Sequence, residues 1–146
     1  MSIPKLKDLL IEKDYNKPPR KVGGVAIVSE GQILLVKRSE TAGKYPNFWS
    51  VPMGGIDKGE TFREGAAREL QEETMLDINP KDLVYLGTIK DGKYNRLCKL
   101  YKAEMDGKPK PTLDHEHSEF GYYDVKSLPH PIEERMKQVL ELNIWV

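Results

Sequence analysis

The stretch from Gly54 to Leu76, GGIDKGETFREGAARELQEETML, constrains the fold of this chain more than any other part of the sequence. A glycine-rich turn leads into a segment whose apolar residues recur at spacings of three and four, which is typical of an amphipathic helix. Thr61 stands where a helix N-cap is expected, and Glu64 follows three residues later as its capping-box partner. The pattern therefore predicts a turn followed by a helix over residues 61–74.

Three glutamates of this helix are predicted to share one side. Residues three and four positions apart are neighbours on a helix, so Glu69, Glu72 and Glu73 lie close together. Like charges at this spacing repel one another, and a positive partner is expected among them. Arg68 can pair with Glu60 or Glu72 and fix the carboxylate orientations, but one arginine does not neutralise the group. Hard oxygen ligands favour Mg²⁺ or Mn²⁺ over zinc as the remaining counter-charge.

An acidic helix has a second and commoner interpretation, a solvated surface with scattered salt bridges. The glycines at positions 54, 55 and 59 argue against it here. Glycine permits positive φ and a close approach of the backbone to a ligand. We therefore expect a cation site where the turn meets the helix.

Length, charge and cysteine content restrict the partners and the compartment. The 146 residues have the size of one domain, taken as 1–146, and contain 23 Lys and Arg against 23 Asp and Glu. A net charge of zero gives no overall attraction to DNA or to a membrane. The single cysteine, Cys98, cannot form an internal disulfide, and no apolar run has the length of a signal peptide or a membrane span. We expect a cytoplasmic protein with neither a DNA nor a membrane partner.

The rest of the chain predicts strands interleaved with helices. Apolar runs near 22–29 and 32–38, separated by a short turn, predict a β-hairpin. An amphipathic helix is predicted over 131–146, and a short capped helix forms an N-terminal extension over 1–17. Further strands are expected at 48–52, 83–90, 96–105 and 120–125. This order of elements predicts an α/β fold in which a mixed sheet lies between helices.

The spacing within the opening stretch resembles the signature of the Nudix hydrolases. The family pattern is G-x5-E-x7-R-E-U-x-E-E-x-G-U, where U is aliphatic, and eight of its nine defined positions are matched. The matching residues are Gly54, Glu60, Arg68, Glu69, Leu70, Glu72, Glu73 and Leu76. The exception is Met75, where the family usually has glycine, and we expect a different helix ending there without direct loss of chemistry. The resemblance implies the Nudix α/β/α sandwich over residues 20–143.

The resemblance also implies a reaction. Similar proteins hydrolyse a nucleoside diphosphate linked to another group, by attack of water on phosphorus. Mg²⁺ or Mn²⁺ held by Glu69, Glu72 and Glu73 would neutralise the diphosphate and acidify the water. A backbone carbonyl of Gly54 or Met53 is implied as a further ligand.

The general base differs among Nudix hydrolases. It is often a glutamate of the pattern, Glu69 by register, and sometimes a glutamate in a downstream loop, for which Glu116 and Glu119 are candidates. Glu116 is favoured as a base and further metal ligand, because HEH at 115–117 resembles the diadenosine tetraphosphate hydrolases. Both glutamates also fit a solvated loop. A metal or phosphate role for His117 is the minor alternative to exposed polar surface.

Substrate choice in the family is set outside the pattern. The turn PMGGIDKGE resembles the dinucleoside polyphosphate and RNA 5′-pyrophosphate hydrolases, and Tyr94, 18 residues beyond Leu76, resembles a tyrosine typical of the former. Tyr94 would stack on an adenine while Arg96 or Lys93 holds a distal phosphate. Tyr94 equally fits an ordinary half-buried strand position.

Lys37 and Arg38 are further candidates for phosphate binding, with Lys44 nearby. The leading expectation is hydrolysis of a dinucleoside polyphosphate, with ADP-ribose, nucleotide sugars, (d)NTPs and RNA 5′ ends as alternatives. An alternative of another class is a Nudix domain that senses a nucleotide without cleaving it, which the retained glutamates disfavour. Homodimers are frequent in the family, and the N-terminal helix offers a surface for one.

Overall fold

A seven-stranded mixed β-sheet runs through residues 17–145, the part of the chain that the computed structural model describes. The elements are β1 (Arg20–Ser29), β2 (Gln32–Arg38), β3 (Trp49–Ser50), β4 (Met53–Gly55), α1 (Phe62–Thr74), a 3₁₀ turn (Pro80–Asp82), β5 (Val84–Asp91), β6 (Arg96–Glu104), β7 (His117–Tyr123) and α2 (Glu134–Leu140). The strand order is β3-β2-β1-β6-β5, with β4 beside β1 and β7 beside β2. The helix predicted over 1–17 falls outside these residues except for Lys17 and stays a prediction.

The predicted hairpin of β1 and β2 is present. Ser29 pairs with Gln32, and the two residues between them, Glu30 and Gly31, have φ values of 50° and 76°. Positive φ at both turn residues is typical of the type I′ turn, whose twist suits a two-residue hairpin. β1 also pairs in parallel with β6 and in antiparallel fashion with β4. This central strand therefore connects the hairpin to the glycine-rich segment.

Side chains of the central strand alternate between two cores. Ile27 packs with Leu70 of α1 on one face of the sheet. Ala26 packs with Met136 of α2 on the other face. Because successive strand residues point to opposite faces, each face is covered by one helix. This arrangement confirms the predicted α/β/α sandwich, and within residues 17–145 neither helix is long and apolar enough to cross a membrane.

The C-terminal helix is shorter than the prediction over 131–146. Residues 131–133 are extended instead, because Trp49 donates a backbone hydrogen bond to Pro131 (2.9 Å) and accepts one from Glu133 (3.0 Å). Beyond α2 the chain continues in turns, yet Ile144 is still buried in the core. The spacing of apolar residues identified the core residues correctly, but the helix predicted from it was too long. β7 likewise begins at His117, earlier than the predicted start at 120.

The ends of α1 are set by local hydrogen bonds. The Glu64 N–H donates to Thr61 Oγ1 (3.1 Å) and the Thr61 N–H donates to Glu64 Oε1 (2.9 Å), so the capping box is confirmed. Met75 ends the helix at φ 62° and ψ 10°, the left-handed conformation that usually carries glycine. The prediction of a different helix ending is wrong, because methionine here takes the backbone conformation of a glycine.

Replacing Met75 with glycine is expected to stabilise the fold. A left-handed conformation costs an L-residue about 1–2 kcal/mol, and part of that gain is offset by the greater freedom of glycine in the unfolded chain. Met75 is 59% exposed, so little packing is lost. Urea unfolding should show a gain of about 0.5–1 kcal/mol. Met75→Ala keeps the strained backbone and is the control; equal stabilisation by alanine would exclude strain as the cause.

Candidate functional site

The glycines of the turn serve different purposes. Of the three glycines, only Gly59 uses the positive φ that glycine permits, at 89°. Gly54 and Gly55 belong to β4, where the backbone is not left-handed. A Cβ atom on Gly54 would overlap the carboxyl group of Glu69. Glycine is therefore needed at position 54 for space, since it lets α1 bring Glu69 against β4.

Arg68 lies at the centre of the acidic cluster. Its guanidinium donates to Glu60 Oε1 (2.7 Å), Glu72 Oε2 (3.0 Å) and Glu69 Oε1 (3.1 Å). It also donates to the backbone carbonyl of Gly55 at 2.8 Å. Both predicted pairings, with Glu60 and with Glu72, are present. Hydrogen bonds from Arg68 hold the pKa of Glu60 below its usual value, and the arginine ties the turn to the helix.

Glu73 is buried without a hydrogen-bond partner. Its exposure is 1%, and neither carboxylate oxygen accepts a hydrogen bond from residues 17–145. The Nε2 atom of His117 lies 3.4 Å from Oε1, outside hydrogen-bonding geometry. Burial, with nearby carboxylates as a smaller cause, raises the pKa of Glu73 well above its usual value. A buried carboxylate in this state is costly unless a cation joins it.

A loop over residues 112–116 brings two further carboxylates to the end of α1. The last carbonyls of a helix have no partner within it, and the Asp114 N–H donates to the Glu73 carbonyl at 3.2 Å. Glu116 then lines the same cavity as Glu69. The predicted convergence of Glu116 with the helix glutamates is therefore present.

His117 is buried rather than exposed, so its assignment to polar surface is wrong. Its Nδ1 atom lies 2.8 Å from Asp114 Oδ1, and Nε2 faces Glu73. Asp114 was not predicted as a site residue, and its signal in the sequence is its position directly before the HEH segment. His115, by contrast, lines the cavity.

The cavity has a volume of about 610 Å³ and is lined by side chains of both charges, which are called its acidic wall and its basic wall. Its acidic wall contains Glu69, Glu72, Asp114 and Glu116. Its basic wall contains Arg20, Arg38, Lys44, Arg96 and Arg135. Burial and then the charges of the surrounding arginines lower the pKa of Lys44, so these cations lie close enough to repel one another. A ligand with several negative charges fits this arrangement.

Two predicted residues, Lys37 and Glu119, are not brought to the cavity. They face each other across β2 and β7, and Lys37 Nζ lies 3.1 Å from Glu119 Oε2. Neither lines the cavity, whereas the adjacent Arg38 does. The structure therefore corrects two predictions, that Lys37 binds phosphate and that Glu119 is a candidate base. The two side chains pair with each other instead.

Tyr94 and Arg96 also differ in placement. Arg96 lines the cavity as predicted, but Tyr94 is not among the lining residues. The Tyr94 ring instead packs edge-to-face on Tyr45, with 5.4 Å between ring centroids. The structure thus keeps Arg96 as a candidate and gives Tyr94 a packing role.

Two basic residues of the cavity were missed from the sequence. Arg20 begins β1 and Arg135 lies on α2. Both line the cavity because the sheet and its covering helix bring these two distant segments to it. No spacing in the sequence connects them.

The family follows from comparison with known proteins. The model for the NUDIX domain matches residues 17–142. The chain belongs to the Nudix family. A Nudix hydrolase of Nostoc sp., itself uncharacterised, is 32% identical over 93 residues, which cover 62% of this chain and 55% of that protein.

Two further likenesses agree with the Nudix assignment. The RNA pyrophosphohydrolase of Pelagibacter ubique is 40% identical over 66 residues, covering 44% of this chain and 40% of that protein. The crystal structure of a MutT Nudix hydrolase from Burkholderia pseudomallei superimposes with a TM-score of 0.76 at 25% identity, covering 87% of this chain and 99% of that one. The Nudix chain spans about half the length of the curated relatives it matches.

The Nudix helix α1 carries donors suited to a divalent cation. Among residues 17–145, no three His, Cys, Asp or Glu side chains form a ready-made metal centre, and Arg68 engages two of the glutamates. The donor set nevertheless fits Mg²⁺ or Mn²⁺, because these ions prefer carboxylate oxygens. Glu73 has two such oxygens, buried and without a hydrogen-bond partner. That unsatisfied charge is the feature a cation would neutralise.

Proposed function

We propose that this Nudix chain is a divalent-metal-dependent pyrophosphohydrolase, which cleaves a phosphoanhydride bond of a nucleotide by attack of water on phosphorus. Glu73 carries the proposal, because its buried carboxylate has no hydrogen-bond partner and lies beside an acidic wall. A purely structural helix gains nothing from such a charge. The neighbouring basic wall supplies the complementary feature, a surface for phosphates.

The metal ligands proposed are Glu69, Glu72 and Glu73 with the backbone carbonyl of Gly54, or of Met53 in its place. Mg²⁺ or Mn²⁺ bound there supplies positive charge to the diphosphate and lowers the pKa of water. Glu116 is the further carboxylate available from the loop.

The protein groups prepare the reaction in two ways. Arg68 holds the carboxylates of Glu69 and Glu72 by hydrogen bonds and so limits their rotation. Glu69 and Glu116 both line the cavity and are the two candidates to accept the proton of the attacking water. Burial raises the pKa of Glu69, against the opposing hydrogen bond of Arg68.

The substrate class proposed is a dinucleoside polyphosphate such as diadenosine tetraphosphate. Five cationic side chains line the basic wall, more than the two phosphates of ADP-ribose would engage. Stacking of an adenine on Tyr94 does not support the proposal, since that ring packs on Tyr45. The proposed substrate class therefore rests on the number of positive charges in the basic wall.

A second candidate substrate is the 5′-triphosphate end of RNA. The likeness to the RNA pyrophosphohydrolase of Pelagibacter ubique favours it, and a triphosphate also suits the basic wall. A cytoplasmic location and a homodimer stay predictions from the sequence.

A product assay over a panel of nucleotides tests both parts of the proposal. With Mg²⁺ or Mn²⁺, diadenosine tetraphosphate is expected to give the highest kcat/KM, at least about tenfold above ADP-ribose, which corresponds to about 1.4 kcal/mol. The panel also contains a nucleotide sugar, dNTPs and 5′-triphosphorylated RNA. Preference for ADP-ribose would overturn the substrate class and leave the reaction intact. Nucleotide binding without hydrolysis of any member would instead support a sensing domain.

A further inference from the structure

Asp91, the last residue of β5, is a buried carboxylate that belongs to neither wall of the cavity. Its exposure is 5%. Arg96 donates to its Oδ2 atom through Nε at 3.1 Å and through Nη2 at 2.5 Å. The backbone N–H groups of Lys93 and Tyr94 donate to its Oδ1 atom at 3.1 and 3.3 Å. One carboxylate thus holds both the turn between β5 and β6 and the guanidinium of Arg96.

Tyr45 attaches a second segment, the loop over residues 39–48, to the same carboxylate. Its hydroxyl oxygen lies 3.3 Å from each oxygen of Asp91. Burial is the main cause that raises the pKa of Tyr45 to about 12, so the hydroxyl remains a neutral donor at physiological pH. Tyr45 also has a φ of 50°, an unfavourable backbone conformation for a tyrosine, which its contacts must offset. The next residue back, Lys44, lines the cavity.

Two members of the basic wall therefore depend on Asp91. Arg96 is bound to it directly, and Lys44 is carried by the loop that Tyr45 docks. Positive groups so close to each other repel, and an acid behind them offsets that repulsion. Within residues 17–145, Arg96 Nη1 makes no hydrogen bond, so the guanidinium is fixed on one side and available to a ligand on the other.

We propose that Asp91 is a positioning residue for the phosphate chain: it orients Arg96 and docks the loop of Lys44, so that the basic wall binds phosphates beyond the bond that is cleaved. The inference rests on the proposed function for the reaction itself. It concerns affinity rather than the chemical step, because Asp91 makes no hydrogen bond or ion pair with any glutamate of α1 in the described chain.

Asp91→Asn tests this role by removing the charge while keeping the shape of the side chain. We expect KM for diadenosine tetraphosphate to rise about tenfold, the equivalent of about 1.4 kcal/mol, with kcat within twofold of the wild-type value. KM for ADP-ribose, with two phosphates, should change less. Tyr45→Phe is the matched control, because it removes only the hydroxyl and should raise KM about two- to threefold. A fall in kcat with an unchanged KM would overturn the proposal.

A double-mutant cycle distinguishes positioning from a general structural effect. Arg96→Gln is expected to raise KM at least as much as Asp91→Asn. If Asp91 acts through Arg96, adding Asp91→Asn to Arg96→Gln should have little further effect. Additive effects of the two changes on KM would contradict the positioning role. Urea unfolding of each variant verifies that the comparison is made between folded proteins.

Binding of inorganic tripolyphosphate to the metal-free protein gives a readout without turnover. Calorimetry should show about tenfold weaker binding for Asp91→Asn and for Arg96→Gln alike. This pattern in a protein that hydrolyses no nucleotide would leave the role of Asp91 standing while the proposed reaction fails. Unchanged tripolyphosphate affinity in Asp91→Asn would overturn the role of Asp91 even if the wild-type protein is an active hydrolase.

Discussion

Glu73→Gln is expected to lower kcat at least about 100-fold while leaving the fold intact, because it removes a carboxylate charge from the proposed metal site. The same change should stabilise the metal-free protein by about 1–3 kcal/mol, since the native carboxyl group is buried and its oxygens have no hydrogen-bond partner. Loss of activity together with a gain in stability is the combination that a ligand-holding residue produces. Substitution of a residue that only packs would instead lower both activity and stability.

The stability difference between Glu73→Gln and the wild type should depend on pH. Burial raises the pKa of Glu73 in the folded state, so the folded protein retains a proton that the unfolded chain releases. The wild-type protein therefore loses stability as pH rises from the unfolded pKa of about 4.3 through the raised folded value. The glutamine variant lacks this loss, and its advantage in urea unfolding should be larger at pH 8 than at pH 5.

Mn²⁺ titration of thermal unfolding completes the test. The wild-type midpoint should rise, with about 2.7 kcal/mol of stabilisation at a metal concentration 100 times Kd, and the midpoint of Glu73→Gln should rise much less. Glu119→Gln is the matched control, because Glu119 lies outside the cavity and pairs with Lys37 at the surface. Wild-type turnover and an unchanged metal response in Glu73→Gln would refute the metal-binding role.

Gly54→Ala is expected to lower kcat/KM about 100-fold with a change of less than about 1 kcal/mol in the free energy of unfolding. The added methyl group would overlap the Glu69 carboxyl group, which can swing aside as the end of a flexible chain. The backbone of Gly54 is not left-handed, so alanine itself is not strained there. The substitution therefore displaces the Glu69 carboxylate and lowers activity, while the stability of the fold changes little.

Gly92→Ala is the control for this glycine substitution. A Cβ atom on Gly92 would meet no heavy atom within 4 Å, and its φ is not in the left-handed range either. Both activity and stability should stay near wild type in this variant. Steady-state kinetics and urea unfolding of the two alanine variants give the comparison. Near-normal activity in Gly54→Ala would mean that the observed position of the Glu69 carboxylate is not required.

Local features were predicted well from the sequence. The capping box joins Thr61 to Glu64, three residues apart, and the hairpin turn at Glu30 and Gly31 depends on its own two residues. Both are stabilised by contacts between near neighbours, so their residue types alone indicate the structure. The C-terminal helix was overestimated because a contact with Trp49, distant in the sequence, holds the chain extended before α2.

Site residues placed by local geometry were likewise predicted, whereas several of those placed by contacts between distant segments were not. Glu69, Glu72 and Arg68 meet because helix geometry places them together. Lys37 and Arg38 are adjacent in sequence, but Lys37 pairs with Glu119 of β7, whereas Arg38 lines the cavity, and the register between β2 and β7 shifts between these two residues. Composition and spacing therefore do not predict which of the two residues lines the cavity.

The Nudix family, the glycine turn and the row of carboxylates on one helix follow from the sequence alone, because turn chemistry and helical periodicity act over a few residues. Packing of the folded chain, by contrast, reveals that Gly54 is needed for space, that Glu73 is buried without a hydrogen-bond partner, and that Asp91 binds Arg96. Each of these depends on which distant segments pack together. Burial and electrostatic compensation are properties of that packing, and no short stretch of sequence specifies them.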